Sequence, residues 1–336
     1  MRLALESVAI AYKRHFLFQL PLLSAWTASQ QVTSLSLLLL VVMARLANSD
    51  AAEGRPKAFV YYGPHDSFKL SQSVGELLES SPHKFEVEYV SPENITADLL
   101  ATGKIFAYPG GYDVQESWDA LESVAPVIRD YVANGGRYIG FCLGAYMASD
   151  SPGLGFLPRE AEVDAECDQK GAQVPDDRDT VIQVDWRFSS GPNAGKTVKD
   201  RWIYYQEGNL VKDFPENSTS FVIARYSTTG NIAATLNKYG DGWVGTTGPH
   251  PEANQSWFDE YNITAPDGLQ YEIGWDLIEA TMSGGQGVTT LSSSGNQSTS
   301  NAPSKSDGAS TATFTAPAKS AGSRRRSNPL RRLFGR

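Results

Sequence analysis

The chain has 336 residues, 41% of them hydrophobic and 20% charged, a composition that excludes a wholly disordered protein. Its 2 cysteines and 4 histidines exclude a disulfide-stapled mini-scaffold, a four-cysteine zinc site and a histidine-rich metal centre. The formal charge of −9 conceals three unlike regions: +2 over residues 1–50, −18 over 51–282 and +7 over 283–336. An acidic middle excludes nucleic-acid binding there, because phosphates need a basic face.

In chain order, the leader comes first. No charge falls between Phe16 and Ala44, and Leu35–Met43 is a tight apolar run preceded by Arg2, Lys13 and Arg14. Val42 and Ala44, or Ser49 and Ala51, stand at −3/−1 cleavage spacing. Residues 1–50 thus read as a secretory signal peptide, or as a signal anchor if uncleaved, which would be the only membrane contact. A misplaced translational start would instead make the leader an artefact and the protein cytoplasmic. Five N-x-[ST] sequons, at Asn94, Asn217, Asn254, Asn262 and Asn296, point to glycosylation along a secretory route.

Strand and helix patterns then alternate. Lys57–Tyr62 is a β-rich run that ends at Gly63-Pro64. Phe68–Ser80 carries an apolar stripe of Leu70, Val74, Leu77 and Leu78, which predicts a helix. Phe85–Val90 and Lys104–Tyr108 read as strands, the second stopping at Pro109-Gly110-Gly111. Trp118–Asn134 reads as one helix closed by Gly135-Gly136, and Arg137–Phe141 as the strand leading into Cys142. This alternation predicts a doubly wound, mostly parallel α/β sheet.

Past Ser149 the pattern becomes antiparallel ribbon. Strands are expected at Ala161–Glu166, Thr180–Arg187, Trp202–Tyr205, Ser220–Ala224, Ile232–Leu236 and Trp243–Thr246, and helices at Ser256–Tyr261 and Tyr271–Met282. One domain over 56–282 follows. From Ser283 the chain is Ser/Thr/Gly/Ala-rich with few large apolar residues and ends in an arginine cluster. That segment reads as a disordered basic tail.

The motif that carries chemistry is Gly140-Phe141-Cys142-Leu143-Gly144-Ala145-Tyr146. A strand ends and a helix begins at its cysteine, and the flanking glycines permit the strained turn that lifts a nucleophile above the sheet. The helix start favours a thiolate, and the Leu143 amide is placed for an oxyanion hole. A thiol needs a base. His83 falls in a turn and reads as solvent-facing. His65 follows the first strand, at the rim where parallel strands end. His250 follows a late strand in His250-Pro251-Glu252, where the i, i+2 carboxylate can fix its tautomer. Cys142, His250 and Glu252 thus supply nucleophile, base and orienter.

In that order, the elbow, Pro109-Gly110-Gly111 and His250-Pro251-Glu252 resemble class I glutamine amidotransferases. The chain is most similar to the amidotransferase-like N-terminal domain of fungal biotin-protein ligases, which also occurs as a stand-alone secreted protein. The resemblance spans Ala58 to Thr281. It implies a flavodoxin-like sheet, a Cys-His-Glu triad and a second oxyanion amide from Gly111 or Tyr112. Tyr146 departs from the family, whose glutaminases carry Gln there, and stands with His65 as a candidate site-rim residue. The biotin-ligase catalytic region has no counterpart here.

The expectation is a cysteine-dependent hydrolase or amidase acting on a small molecule or peptide, with no cofactor and no metal, and not a biotin ligase. The alternative is an inactive binding or scaffold module of the same fold. A Cys142–Cys167 disulfide would disable the nucleophile. It needs Cα atoms within ~7 Å, and Cys167, on the ribbon beyond the elbow helix, is expected to lie farther away.

Overall fold

The computed structural model describes residues 54–64, 67–150 and 152–288. The fold described is that of the unit beginning at Arg55. His65, Asn296, the leader and the arginine cluster lie outside the described residues.

In chain order come β1 (Lys57–Tyr61), α1 (Phe68–Ser80), β2 (Glu86–Val90), α2 (Ala97–Leu100) and β3 (Ile105–Tyr108). Next are α3 (Val114–Leu121), α4 (Ala125–Ala133), β4 (Arg137–Phe141) and α5 (Leu143–Met147). The ribbon region holds β5 (Glu162–Ala165), β6 (Thr180–Arg187), β7 (Thr197–Tyr205), β8 (Asn209–Lys212), β9 (Ser220–Tyr226) and β10 (Ile232–Tyr239). The chain continues through β11 (Gly242–Thr247), α6 (Gln255–Glu260) and α7 (Tyr271–Met282).

The strands join in one sheet of order β2-β1-β3-β4-β11-β10-β9-β6-β7, with β5 paired to β8 and β8 to β10. The first five are parallel, and from β11 onward the pairing is antiparallel. The parallel part has the 2-1-3-4-5 order of flavodoxin-like sheets, with β11 as fifth strand. Side chains alternate between its faces. Ala58, Val60, Ile105, Ala107 and Ile139 pack under α1 and α7 through Val74, Leu77, Ile273 and Leu277. Phe59, Tyr61, Phe106, Tyr108 and Tyr138 face α3, α4 and α5 through Leu121, Ile128, Val132 and Met147. Helices on both faces make the sheet doubly wound, as the alternating sequence predicts.

Four expectations need correction. The single helix over Trp118–Asn134 is two, because Pro126, in the first turn of α4, lacks an N–H and would clash with the carbonyl four residues back. β7 starts five residues before the expected Trp202, since its polar half is held by pairing to β6. Ser283–Val288 belong to the folded part: Val288 is fully buried and Gly285 packs on Phe221. His83 is half-buried rather than solvent-facing, with Nε2 2.9 Å from the Glu279 carboxylate. Among the described residues, no helix is long and apolar enough to cross a membrane.

Candidate active site

β3, β4 and β11 are adjacent and parallel, so their C-terminal ends open on one edge of the sheet. Three sequence motifs arrive there together. Pro109-Gly110-Gly111 leaves β3, Cys142 leaves β4 and His250 lies three residues beyond β11. The register fixes the meeting: Thr247 pairs with Phe141, and the Cys142 amide donates to the Thr247 carbonyl at 2.8 Å.

Cys142 has φ 48° and ψ −104°, a left-handed backbone that side chains rarely adopt. The turn around it needs its glycines. A Cβ on Gly140 would lie 2.4 Å from the Gly144 carbonyl oxygen, and one on Gly144 would lie 2.3 Å from that of Tyr108. The strand therefore passes into α5 with no intervening loop. Leu143 is the first residue of α5, so its N–H has no acceptor within the helix. Leu143, Gly111 and Tyr112 all border the hollow at Cys142.

His250 is held from several sides. Its amide donates to the Tyr204 carbonyl at 2.9 Å, and its ring packs against Trp257 at 5.2 Å and Tyr204 at 6.1 Å. Nδ1 lies 2.8 Å from Glu252 Oε1, so it carries the proton toward the carboxylate and leaves Nε2 for the Cys142 thiol. Glu252 is fully buried, and its Oε2 accepts no hydrogen bond among the described residues. Burial opposes charge on the imidazole, but Glu252 and Cys142 together outweigh it and raise the ring's pKa to about 10. Gly110 completes the packing: a Cβ there would stand 2.8 Å from His250 Cε1 and 3.8 Å from Cys142 Cβ.

The antiparallel strands supply the opposite wall. The β7–β8 turn brings Gln206 and Glu207 over the elbow, and the Cys142 thiol donates to the Gln206 carbonyl at 3.6 Å. Tyr146 is buried and its hydroxyl donates to the Glu207 carbonyl at 3.5 Å. It forms the floor of the hollow rather than an open rim. Burial, reinforced by Asp177 and Asp168, pushes the Glu207 carboxyl up to about 7. Cys167 and Cys142 are both free thiols. Burial first, then Glu207 and Asp168, push the Cys167 thiol up to about 12, which keeps it an unreactive thiol.

Sequence reasoning missed most of this wall. Gln206 and Glu207 carry no motif, nor do Lys69 and Asp179, which line the larger hollow at Cys142 and His250, and Tyr204 and Trp257 fall in a predicted strand and a predicted helix with no chemistry assigned. Of the sequons, Asn94, Asn217 and Asn262 are exposed. Asn254 is a correction: its amide nitrogen is held by Ser73 and Glu76, and its oxygen caps α6, so it is poorly presented for glycosylation. Among the described residues, no group of three or more His, Cys, Asp or Glu could hold a metal ion.

Residues 57–167 match the family "Biotin-protein ligase, N terminal". The matched segment contains Pro109-Gly110-Gly111 and the elbow, and stops before His250. No curated protein matches the sequence. Among solved structures, PurLQS from Thermotoga maritima is similar at 16% identity and TM-score 0.44, covering 68% of this chain and 99% of that one. A glutamine amidotransferase from Thermotoga maritima has 12% identity and TM-score 0.43, with 73% and 100% covered. A glutamine amido transferase from Methylobacillus flagellatus has 14% and 0.42, with 74% and 98% covered. Over its first five strands and their helices, the chain is thus similar in sequence to the N-terminal part of biotin-protein ligases.

Proposed function

We propose that the protein is a cysteine-dependent amide hydrolase in which Cys142 is the nucleophile, His250 the base and then acid, and Glu252 the orienter. The observation that carries this reading is the Glu252–His250–Cys142 line, buried at one end and open to a cavity at the other. The imidazole, whose raised pKa lets it hold the proton given up by the thiol, stays beside the sulfur as Sγ attacks the amide carbon. The oxygen becomes an oxyanion facing the Leu143 amide and the amide of Gly111 or Tyr112. The C–N bond breaks as His250 gives the proton to the departing amine. Water, deprotonated by His250, then opens the thioester to a carboxylic acid and restores the thiol.

The test is labelling of the full chain with thiol-directed acylating probes, followed by assay of amides, esters and small peptides. Wild-type protein is expected to label at Cys142 and not at Cys167, and Cys142→Ala is expected to lose both labelling and turnover. Equal labelling of wild type and Cys142→Ala overturns the reading and leaves a binding module.

The leader and the exposed sequons support export through the secretory route. A mass decrease on glycosidase treatment of protein from a eukaryotic host tests this. An unchanged mass together with retained Met1 would overturn it.

A further inference from the structure

Among the described residues, Cys142 borders a small hollow and a larger one. The one over Tyr146 measures about 20 Å³ and is bordered by Leu143, Gln206 and Glu207, which is room for about one water. The other measures about 190 Å³ and runs from Cys142 and His250 past Tyr204 to Asp179, Tyr112 and Tyr261. Only the second can take the acyl group of a substrate attacked by Cys142.

The second hollow has a distinctive wall. Asp179 accepts a hydrogen bond from the Tyr204 hydroxyl at 2.6 Å, and burial followed by the charge of Asp179 raises the pKa of the Tyr261 phenol beside it. That donor is a neutral hydroxyl, and among the described residues Asp179 makes no ion pair, whereas His250 in the same hollow is paired with Glu252. The neighbouring Arg178 turns to Asp176 instead. Lys69, the only Lys or Arg among the lining residues, is paired with Glu260 and lies 6.0 Å above the Trp257 ring. Tyr112 and Tyr261 stand at the mouth, 52% and 51% exposed. Five large hydrophobic side chains among the described residues are strongly exposed, and two of them meet at this opening.

A carboxylate bonded by a neutral hydroxyl, beside two exposed tyrosine rings, attracts cations and repels anions. Accordingly, we propose that the acyl group of the substrate carries a protonated amine or guanidinium held between Asp179 and the rings of Tyr112 and Tyr261, and that anionic acyl groups are excluded. The proposal rests on Cys142 being the nucleophile, and it names the substrate class of that site.

The test uses three aryl-ester probes of equal length with 6-aminohexanoyl, hexanoyl and adipoyl groups, and follows acylation of Cys142 in the full chain. The cationic probe is expected to react at least ~10-fold faster than the neutral one, and the anionic probe slowest. Asp179→Asn is expected to bring the cationic-to-neutral ratio to within about twofold, and Tyr261→Leu to lower it by a smaller factor. Equal rates for all three probes, or a preference that survives Asp179→Asn, overturn the proposal.

Titration of Cys142→Ala with hexylammonium and with hexanoate reads the same subsite without chemistry. Hexylammonium binding that Asp179→Asn removes supports the subsite even where no probe acylates Cys142, and that result would retire the nucleophile reading alone. Equal binding of hexylammonium and hexanoate overturns the subsite.

Discussion

The parallel strands β1–β4 and β11 and the antiparallel strands β6–β10 meet around Cys142, but they contribute different materials. The parallel part supplies Cys142, His250 and the glycine loop, each at the end of a strand whose register is locked by its neighbours. The antiparallel part supplies Asp179, Tyr204, Gln206 and Glu207, from strand ends and one tight turn. The first set stands at the ends of paired parallel strands, and the second at the β6–β7 end and the β7–β8 turn. Chemistry on this scaffold therefore belongs to the parallel part, while the shape and charge of the pocket belong to the ribbon. The two are joined at Tyr204, whose carbonyl and ring hold His250.

The largest expected effect sits on the parallel side. His250→Asn removes the base and is expected to slow labelling of Cys142 by about 10²- to 10⁴-fold, read as a second-order rate at neutral pH. A loss below threefold would mean that the thiol reacts without its imidazole and would dissolve the division of labour.

Next comes the joint between the two parts. Asp276, on α7, is buried and accepts hydrogen bonds from the Trp186 indole and from the amides and hydroxyls of Ser189 and Ser190. Asp276→Ala leaves those donors unmatched and is expected to cost about 2–3 kcal/mol in denaturant unfolding. Unchanged stability would show that the ribbon is not anchored through this carboxylate.

Gly110→Ala is a finer probe. Its Cβ would press on His250 Cε1 at 2.8 Å, so the imidazole must shift. Labelling is expected to fall about 10-fold with little change in unfolding midpoint. A matched loss of stability would place the effect in folding rather than at the site.

The smallest effect is a pH dependence on the ribbon side. The folded Glu207 carboxyl titrates at about 7, above the 4.5 of an unperturbed carboxyl. A raised value means the folded state holds the proton more tightly. The contribution is fully present below pH ~4.5 and is lost as pH rises through about 7. Wild type is expected to lose stability over that window by more than Glu207→Gln does, as measured by melting temperature against pH. Parallel curves would remove Glu207 from the account.

The sequence was legible where a feature is local. The elbow is a seven-residue pattern, and the His250–Glu252 spacing lies within one loop, so both could be read without tertiary knowledge. The β–α alternation was equally plain. Pro126 was visible too, but the closing Gly135-Gly136 pair drew Trp118–Asn134 into one helix. The ribbon wall was illegible for a physical reason. Asp179 and Glu207 are 28 residues apart in sequence, and only the β6–β7 pairing brings them to the same thiol. The four-residue β8 has too few positions to show a period. Tyr204 and Trp257 do pack, as aromatic pairs usually do, and their second role at the cavity depends on one polar atom or one ring edge that composition cannot reveal.

The left-handed backbone at Cys142 has a consequence for how such a protein changes over generations. Glycine occupies that conformation without steric cost, so Cys142→Gly is expected to unfold at higher denaturant concentration than Cys142→Ala, by about 0.5–1 kcal/mol. A lineage screened for robustness alone would therefore drift toward a chain that folds better and has lost its thiol. Keeping a cysteine at this position requires selection for what its sulfur does.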